Sequence, residues 1–140
     1  MSDRETALFA NEAFYMAFAA RDMATMEHLW ADSDVTCIHP GWPPLSGRES
    51  VVGSWRNILT GGNAPNIACR QAAAVVRGTT AIVTCIEIIT DSGGNQQALA
   101  ATNIFVRTGD GKEWRMVHHQ AGPAHIDPSR VEEDESPSVN

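Results

Sequence analysis

The sequence is short of several things, and each shortage removes a class of function. It holds three cysteines, Cys37, Cys69 and Cys85. An odd number with no CxxC pair and no Cys/His metal spacing gives neither a disulfide framework nor a zinc module. Cys37 and Cys85 lie in apolar, strand-like runs, where a thiol behaves as a small hydrophobe, so a reduced, cytoplasmic setting is expected. Basic residues are outnumbered, 10 Lys and Arg against 17 Asp and Glu, with a formal net charge of −7 and a pI near 5.1. That balance argues against a nucleic-acid-binding surface. No apolar run approaches the ~20 residues of a membrane span, and the polar N-terminus shows no signal peptide, so no membrane partner is expected. GxSxG, GxGxxG and P-loop patterns are missing, and with them the usual marks of a serine hydrolase or a nucleotide-binding protein. There is no internal repeat.

What remains is a globular composition, 43% apolar and 19% charged over 140 residues. That is enough for one domain with a core of its own. The domain is expected over residues 1–126. The segment 127–140, DPSRVEEDESPSVN, lacks apolar content and is expected to be an acidic, disordered tail.

The first half reads as helical. Leu8, Phe9, Ala13, Phe14, Ala17 and Phe18 recur near helical spacing within residues 4–20, with Ser2 and Glu5 as a start signal. Asp22 is a good N-cap for a second helix carrying Met23, Met26, Leu29 and Trp30. The stretch from Val35 to Leu59 is the one around which the rest is organised. It reads as a short strand ending at His39, a loop stiffened by prolines, and a third helix. Ser46 and Glu49 form a capping-box pattern at the start of that helix. The second half alternates: Asn66 to Arg77, Thr80 to Thr90, Gln97 to Thr108 and Glu113 to Gln120 read as four strands of an antiparallel meander, separated by Gly-rich turns. Three helices followed by a meander make an α+β domain. Thr80 to Thr90 is too apolar for one face to stay in water, so a homodimer through the convex side of the sheet is expected.

This order of elements resembles the cone-shaped α+β fold of the nuclear transport factor 2-like (NTF2-like) superfamily. Leu29-Trp30-Ala31-Asp32-Ser33-Asp34-Val35 is similar to that superfamily's LFADDATV segment. Val35–Leu59, with Gly47 and Ser54-Trp55, and Trp114-Arg115-Met116-Val117-His118-His119 resemble its SnoaL-like branch. The resemblance spans roughly residues 4–122 and implies a half-barrel of strongly bent, mixed, mostly antiparallel sheet with three helices on its concave side. It also implies an apolar pocket for a small apolar or cyclic ligand. The activity stays open, because this fold hosts isomerases, dehydratases, hydrolases and non-enzymatic partners.

Steroid isomerases of the superfamily place an Asp before a Pro at the end of the first strand, as general base; here His39 precedes Pro40. Their oxyanion-binding Tyr on the first helix is matched by Phe14, with Tyr15 beside it. Their second oxyanion donor, a protonated Asp, is matched by Asn103. Steroid-type isomerisation is therefore not expected. His39 could still take a proton, and the Asn103 amide could donate to an oxyanion. Against that stands the plain alternative, in which His39 caps the loop and Asn103 satisfies a neighbouring strand. His118 and His119 face opposite sides of their strand. Strand parity groups His119 with Arg115 and Val117, and the resemblance makes His119 the pocket-side candidate. Glu87, alone in an apolar run, points inward as a functional acid or outward. Trp42 is placed to meet a ligand, and Trp55 sits at core spacing. His39 and His119 lack a clear carboxylate third ligand unless Glu87 points inward, so no metal and no cofactor are expected. Two readings stand: an isomerase, cyclase or dehydratase using His39 with Asn103, or a non-catalytic ligand-binding or dimeric scaffold module. Phe14 or Tyr15, Trp42, Trp55, Glu87 and His119 are the expected pocket walls around either.

Overall fold

The computed structural model describes residues 1–132. Helix α1 (Asp3–Ala20) begins with a capping box: the Ser2 hydroxyl accepts from the Glu5 amide at 3.1 Å while the Glu5 carboxylate accepts from Ser2. It buries Ala7, Asn11, Phe14, Tyr15, Ala17 and Phe18 along one stripe. Arg21, in the left-handed region at φ 54°, ends it. Asp22 then caps α2 (Met23–Leu29), accepting from the Thr25 amide at 3.1 Å.

Strands β1 (Thr36–Ile38) and β2 (Leu45–Ser46) bracket the proline-rich loop and pair antiparallel, Thr36 opposite Ser46. This pairing overturns the capping box expected at Ser46 and Glu49. Helix α3 (Arg48–Thr60) has Gly47 as its N-cap, with no side-chain cap. Ser46 is held extended by the strand, and Gly47, at φ 93°, makes the corner that only glycine turns without strain. Arg48 ties the start of α3 to the end of α2. Its guanidinium donates to the carbonyls of Glu27, Trp30 and Ala31 at 2.9–3.1 Å.

The four long strands are β3 (Asn66–Arg77), β4 (Thr80–Thr90), β5 (Gln96–Arg107) and β6 (Trp114–Pro123). They pair antiparallel in sequence order, and β1 adds to β6 in parallel, giving one open mixed sheet in the order β2-β1-β6-β5-β4-β3. The helices pack on one face of it, α1 lying across β3 with contacts to β4 and β6. This is the α+β cone: three helices on the concave face of a bent sheet.

Two bulges bend the sheet. One lies between Arg70 and Ala73 of β3, where Gln71 takes a positive φ. The other puts one extra residue, Val117, into β6 opposite the Ile104–Phe105 step of β5. The second bulge corrects the parity read from the sequence. Trp114, Met116 and His119 are all buried, whereas Arg115 and Val117 are half-buried. His119 therefore joins Trp114 and Met116 on the inner face, because the bulge resets the alternation between Met116 and His118.

Inward positions of β4 (Ala81, Val83, Cys85, Glu87) and β5 (Leu99, Ala101, Asn103, Phe105) are all buried. The outer face carries Ile82, Ile86 and Ile88 of β4 beside Ile104 and Ala100 of β5. Within the expected tail, Pro128–Arg130 form a 3-10 turn capped by the Asp127 side chain, and residues 133–140 lie outside the described ones. No helix among the described residues is long and apolar enough to cross a membrane.

Candidate functional site

The open end of the cone holds a cavity of about 310 Å³. Its mouth is formed by Pro40 and Trp42 from the β1–β2 loop, Ile58 from α3, Pro65 before β3, and Ile89 and Gln97 at the β4–β5 end. Its floor is Phe18, Trp55 and Leu99 together with three ionisable side chains, His39, Glu87 and His119. All three are nearly inaccessible, at 3%, 2% and 2% exposure. Five of the eight residues singled out in the sequence (His39, Trp42, Trp55, Glu87 and His119) line this cavity. Phe14, Tyr15 and Asn103 do not; they stand directly behind it.

The aromatic floor is built by edge-to-face packing. Trp55 meets Phe14 at 5.3 Å, Phe18 at 5.2 Å, His39 at 4.8 Å and His119 at 5.5 Å between ring centroids. Such packing fixes ring orientation, so Phe14 positions Trp55 and His119 without facing the cavity. Phe18, one turn further along α1, is the residue that closes the cavity from that helix.

A polar network lies behind the floor, and its donors can be assigned in sequence. Asn103 donates its two amide hydrogens to Asn11 Oδ1 at 2.8 Å and to the Tyr15 hydroxyl at 3.1 Å. Tyr15 passes its own hydrogen to Glu87 Oε2 at 2.7 Å. With both amide hydrogens committed, Asn103 Oδ1 accepts from His119 Nδ1 at 2.6 Å. His119 thus keeps an unprotonated Nε2, 3.9 Å from Glu87 Oε2. Asn103 is consequently no oxyanion donor: it has no free N–H and is fully buried. It holds Tyr15 and His119 in place. Asn11 had no distinguishing signal in the sequence, being one polar residue on the buried stripe of α1.

His39 is settled by the same reasoning. The Ser54 hydroxyl donates to the Val51 carbonyl at 2.6 Å, so at 2.8 Å it accepts from His39 Nε2. Nδ1 is left as the unprotonated nitrogen. The His39 carbonyl accepts from the Trp42 amide at 2.9 Å, a backbone bond that does not involve the ring.

Burial sets the protonation states. It lowers His39 to about 4 and His119 to about 3, the latter helped by the neighbouring histidines, so both imidazoles are neutral at pH 7. Glu87 is raised by burial to about 7, with the Tyr15 hydrogen bond pulling the other way. Burial and the Glu87 charge push the Tyr15 phenol well above its usual range. Burial also lifts the Cys37 thiol to about 12, leaving it un-ionised. The cavity therefore presents one carboxyl raised to about 7 and two neutral imidazoles, with His119 beside Glu87 at 3.9 Å and His39 beside His119 at 6.4 Å between ring centroids. No group of three or more His, Cys, Asp or Glu side chains among the described residues is arranged to hold a metal ion.

Comparison with known proteins follows the same lines. The family model of the SnoaL-like domain matches residues 8–125. A candidate dehydratase of the NTF2-like family from Streptomyces avermitilis is 37% identical, over 89% of this chain and 97% of its own, with a TM-score of 0.78. A candidate calcium/calmodulin-dependent protein kinase type II association domain from Thiobacillus denitrificans is 33% identical, over 86% and 96%, with a TM-score of 0.76. An NTF2-like protein with a cystatin-like fold from Novosphingobium aromaticivorans, 20% identical over 91% and 85%, shares the fold at a TM-score of 0.69. No curated protein matches the sequence.

Proposed function

The chain belongs to the SnoaL-like domain family, and from that premise we propose that it is a small-molecule acid–base enzyme of the dehydratase or isomerase kind. The observation that carries this reading is Glu87, a carboxyl raised to about 7 on the wall of an apolar cavity that also holds two neutral imidazoles. Groups whose environments drive their pKa values apart are the arrangement from which acid and base roles are drawn. The 37% identity to a candidate dehydratase supports the same class.

In a water-eliminating reaction, His39 Nδ1 takes the hydrogen α to a carbonyl. The electron pair of that C–H bond forms the new double bond as the β C–O bond breaks, and Glu87, in its acid form, gives its proton to the departing hydroxyl. His39 becomes cationic as Glu87 becomes anionic, so the net charge of the site is unchanged through the step. Solvent at the cavity mouth returns the proton. His119 steadies the hydroxyl beside Glu87, and Trp42, Trp55 and Phe18 hold the apolar body. Cysteines with no disulfide framework suit a cytoplasmic setting.

A second reading, a non-catalytic assembly module, is favoured by the 33% identity to a candidate association domain. Its outer-face residues Ile82, Ile86 and Ile104 suit a homodimer through the sheet. The test between the two is enone formation from a panel of cyclic β-hydroxy ketones, followed by ultraviolet absorbance. Turnover by the native protein that is lost in both His39→Ala and Glu87→Gln supports the enzyme. Binding without turnover across the panel supports the module.

A further inference from the structure

The cavity shows what charge its ligand carries. We infer that it selects an uncharged molecule of one or two rings that brings its own hydroxyl, and that it rejects carboxylates and ammonium ions of the same shape. This rests on the reading that a small molecule occupies the cavity, and not on that molecule being turned over.

The first argument is the absence of a counter-charge. No Lys or Arg among the described residues lines the cavity, and both histidines in its wall are neutral with one nitrogen already donating, His119 to Asn103 and His39 to Ser54. A carboxylate entering would lose its water and meet the lone pair of His119 Nε2 and the oxygens of Glu87. Burying an unpaired charge is among the costliest events in recognition. A cation fares little better. The one carboxyl among the described residues that line the cavity already accepts from Tyr15 and is substantially protonated at neutrality.

The second argument is the gap between His119 Nε2 and Glu87 Oε2. At 3.9 Å it is too long for a hydrogen bond, yet an oxygen placed beside it reaches both. A hydroxyl suits the pair, accepting from protonated Glu87 and donating to His119. A carboxylate oxygen has no hydrogen to give, and an ammonium has no lone pair to accept. The third argument is size. About 310 Å³ lies at the low end of the ~300–1,000 Å³ of small-molecule pockets, and the walls are aromatic or aliphatic apart from these groups and Gln97 at the rim.

The experiment uses three probes of one shape, 2-naphthol, 2-naphthoate and 2-naphthylmethylamine, titrated calorimetrically into the full chain at pH 7. The expected result is 2-naphthol binding at least tenfold more tightly than either charged analogue. Equal or tighter binding of a charged probe, or no binding of 2-naphthol at millimolar concentration, overturns the inference. Glu87→Gln supplies the second arm, with its melting temperature checked. At pH 8, where Glu87 is mostly ionised, the amide adds a donor and removes the negative charge, so naphthoate affinity should rise at least fivefold over the native protein while naphthol affinity changes by less than threefold. Naphthoate affinity unmoved by that change would also overturn it. Uncharged selectivity without enone formation from any hydroxy ketone would leave this inference standing and remove the catalytic reading, so the two fail separately.

Discussion

The Tyr15 hydroxyl donates to the Glu87 carboxylate at 2.7 Å, from a helix to a strand 72 residues away. It connects the support behind the cavity to the acid inside it. Asn103 reaches that hydroxyl from one side, and Glu87 lines the cavity on the other.

Tyr15→Phe removes this bond together with the hydroxyl's contacts to Asn103 and to Cys85 Sγ. The Tyr15 hydrogen bond lowers the Glu87 pKa, so without it the carboxyl should titrate higher than about 7. Asn103 loses an acceptor as well, and the unfilled partners should cost about 1–3 kcal/mol of stability. Carbon-13 NMR of labelled glutamate gives the titration and urea unfolding the stability; a Glu87 pKa that falls or stays put contradicts the assignment.

Stability against pH carries a signature of the three buried groups. Each histidine is depressed below its usual 6.5, so its contribution is present above pH 6.5 and lost as pH falls towards 4 for His39 and 3 for His119. Glu87 is raised, so its contribution is present below 4.5 and lost as pH rises through about 7. Between pH 4.5 and 6.5 unfolding binds two protons and releases one. These groups should therefore raise stability by about 1.4 kcal/mol per pH unit as pH increases. In Glu87→Gln the opposing proton is gone and the slope should be about twice as steep. Urea unfolding across this window measures both; equal slopes would show that Glu87 is ionised in the folded protein.

Arg48→Ala should cost about 1–3 kcal/mol, because the carbonyls of Glu27, Trp30 and Ala31 lose a charged donor together. Chemical denaturation reports it. A change within a few tenths of a kcal/mol would mean that water replaces the guanidinium there.

The proposed dimer has a direct test in Ile82→Glu on the outer face of β4. Light scattering should give twice the chain mass for the native protein and a single chain mass for the variant, with circular dichroism unchanged. A monomeric native protein at micromolar concentration contradicts the interface.

The fold was legible because its signals are local and redundant. Asp22 caps where the periodicity breaks, and glycine-rich turns separate four alternating runs. The departures arise where pairing overrode local pattern. Ser46 and Glu49 spell a capping box, yet the bond of β2 to Thr36 claims Ser46 for the sheet. His119 sits inward through a bulge at Val117 that no alternation rule anticipates. Glu87 was undecidable from its apolar run because both faces of β4 are apolar: Val83 and Cys85 inside, Ile82 and Ile86 outside. Asn103 was found by resemblance and its surroundings were not, since Asn11, Tyr15 and His119 meet it only across 92, 88 and 16 residues of chain.

Acid–base chemistry at His39 is the central claim, and solvent deuterium exchange tests it without needing a leaving group. Native protein with a bound cyclic ketone in deuterium oxide should exchange the hydrogens α to the carbonyl, followed by proton NMR. His39→Ala should slow that exchange by about 10²–10⁴-fold, the usual weight of a general base, while the β1–β2 pairing and the bond from the Trp42 amide to the carbonyl of residue 39 keep the loop folded and the melting temperature moves by only a few degrees. Exchange at the native rate in His39→Ala, with ligand still bound, would contradict the claim.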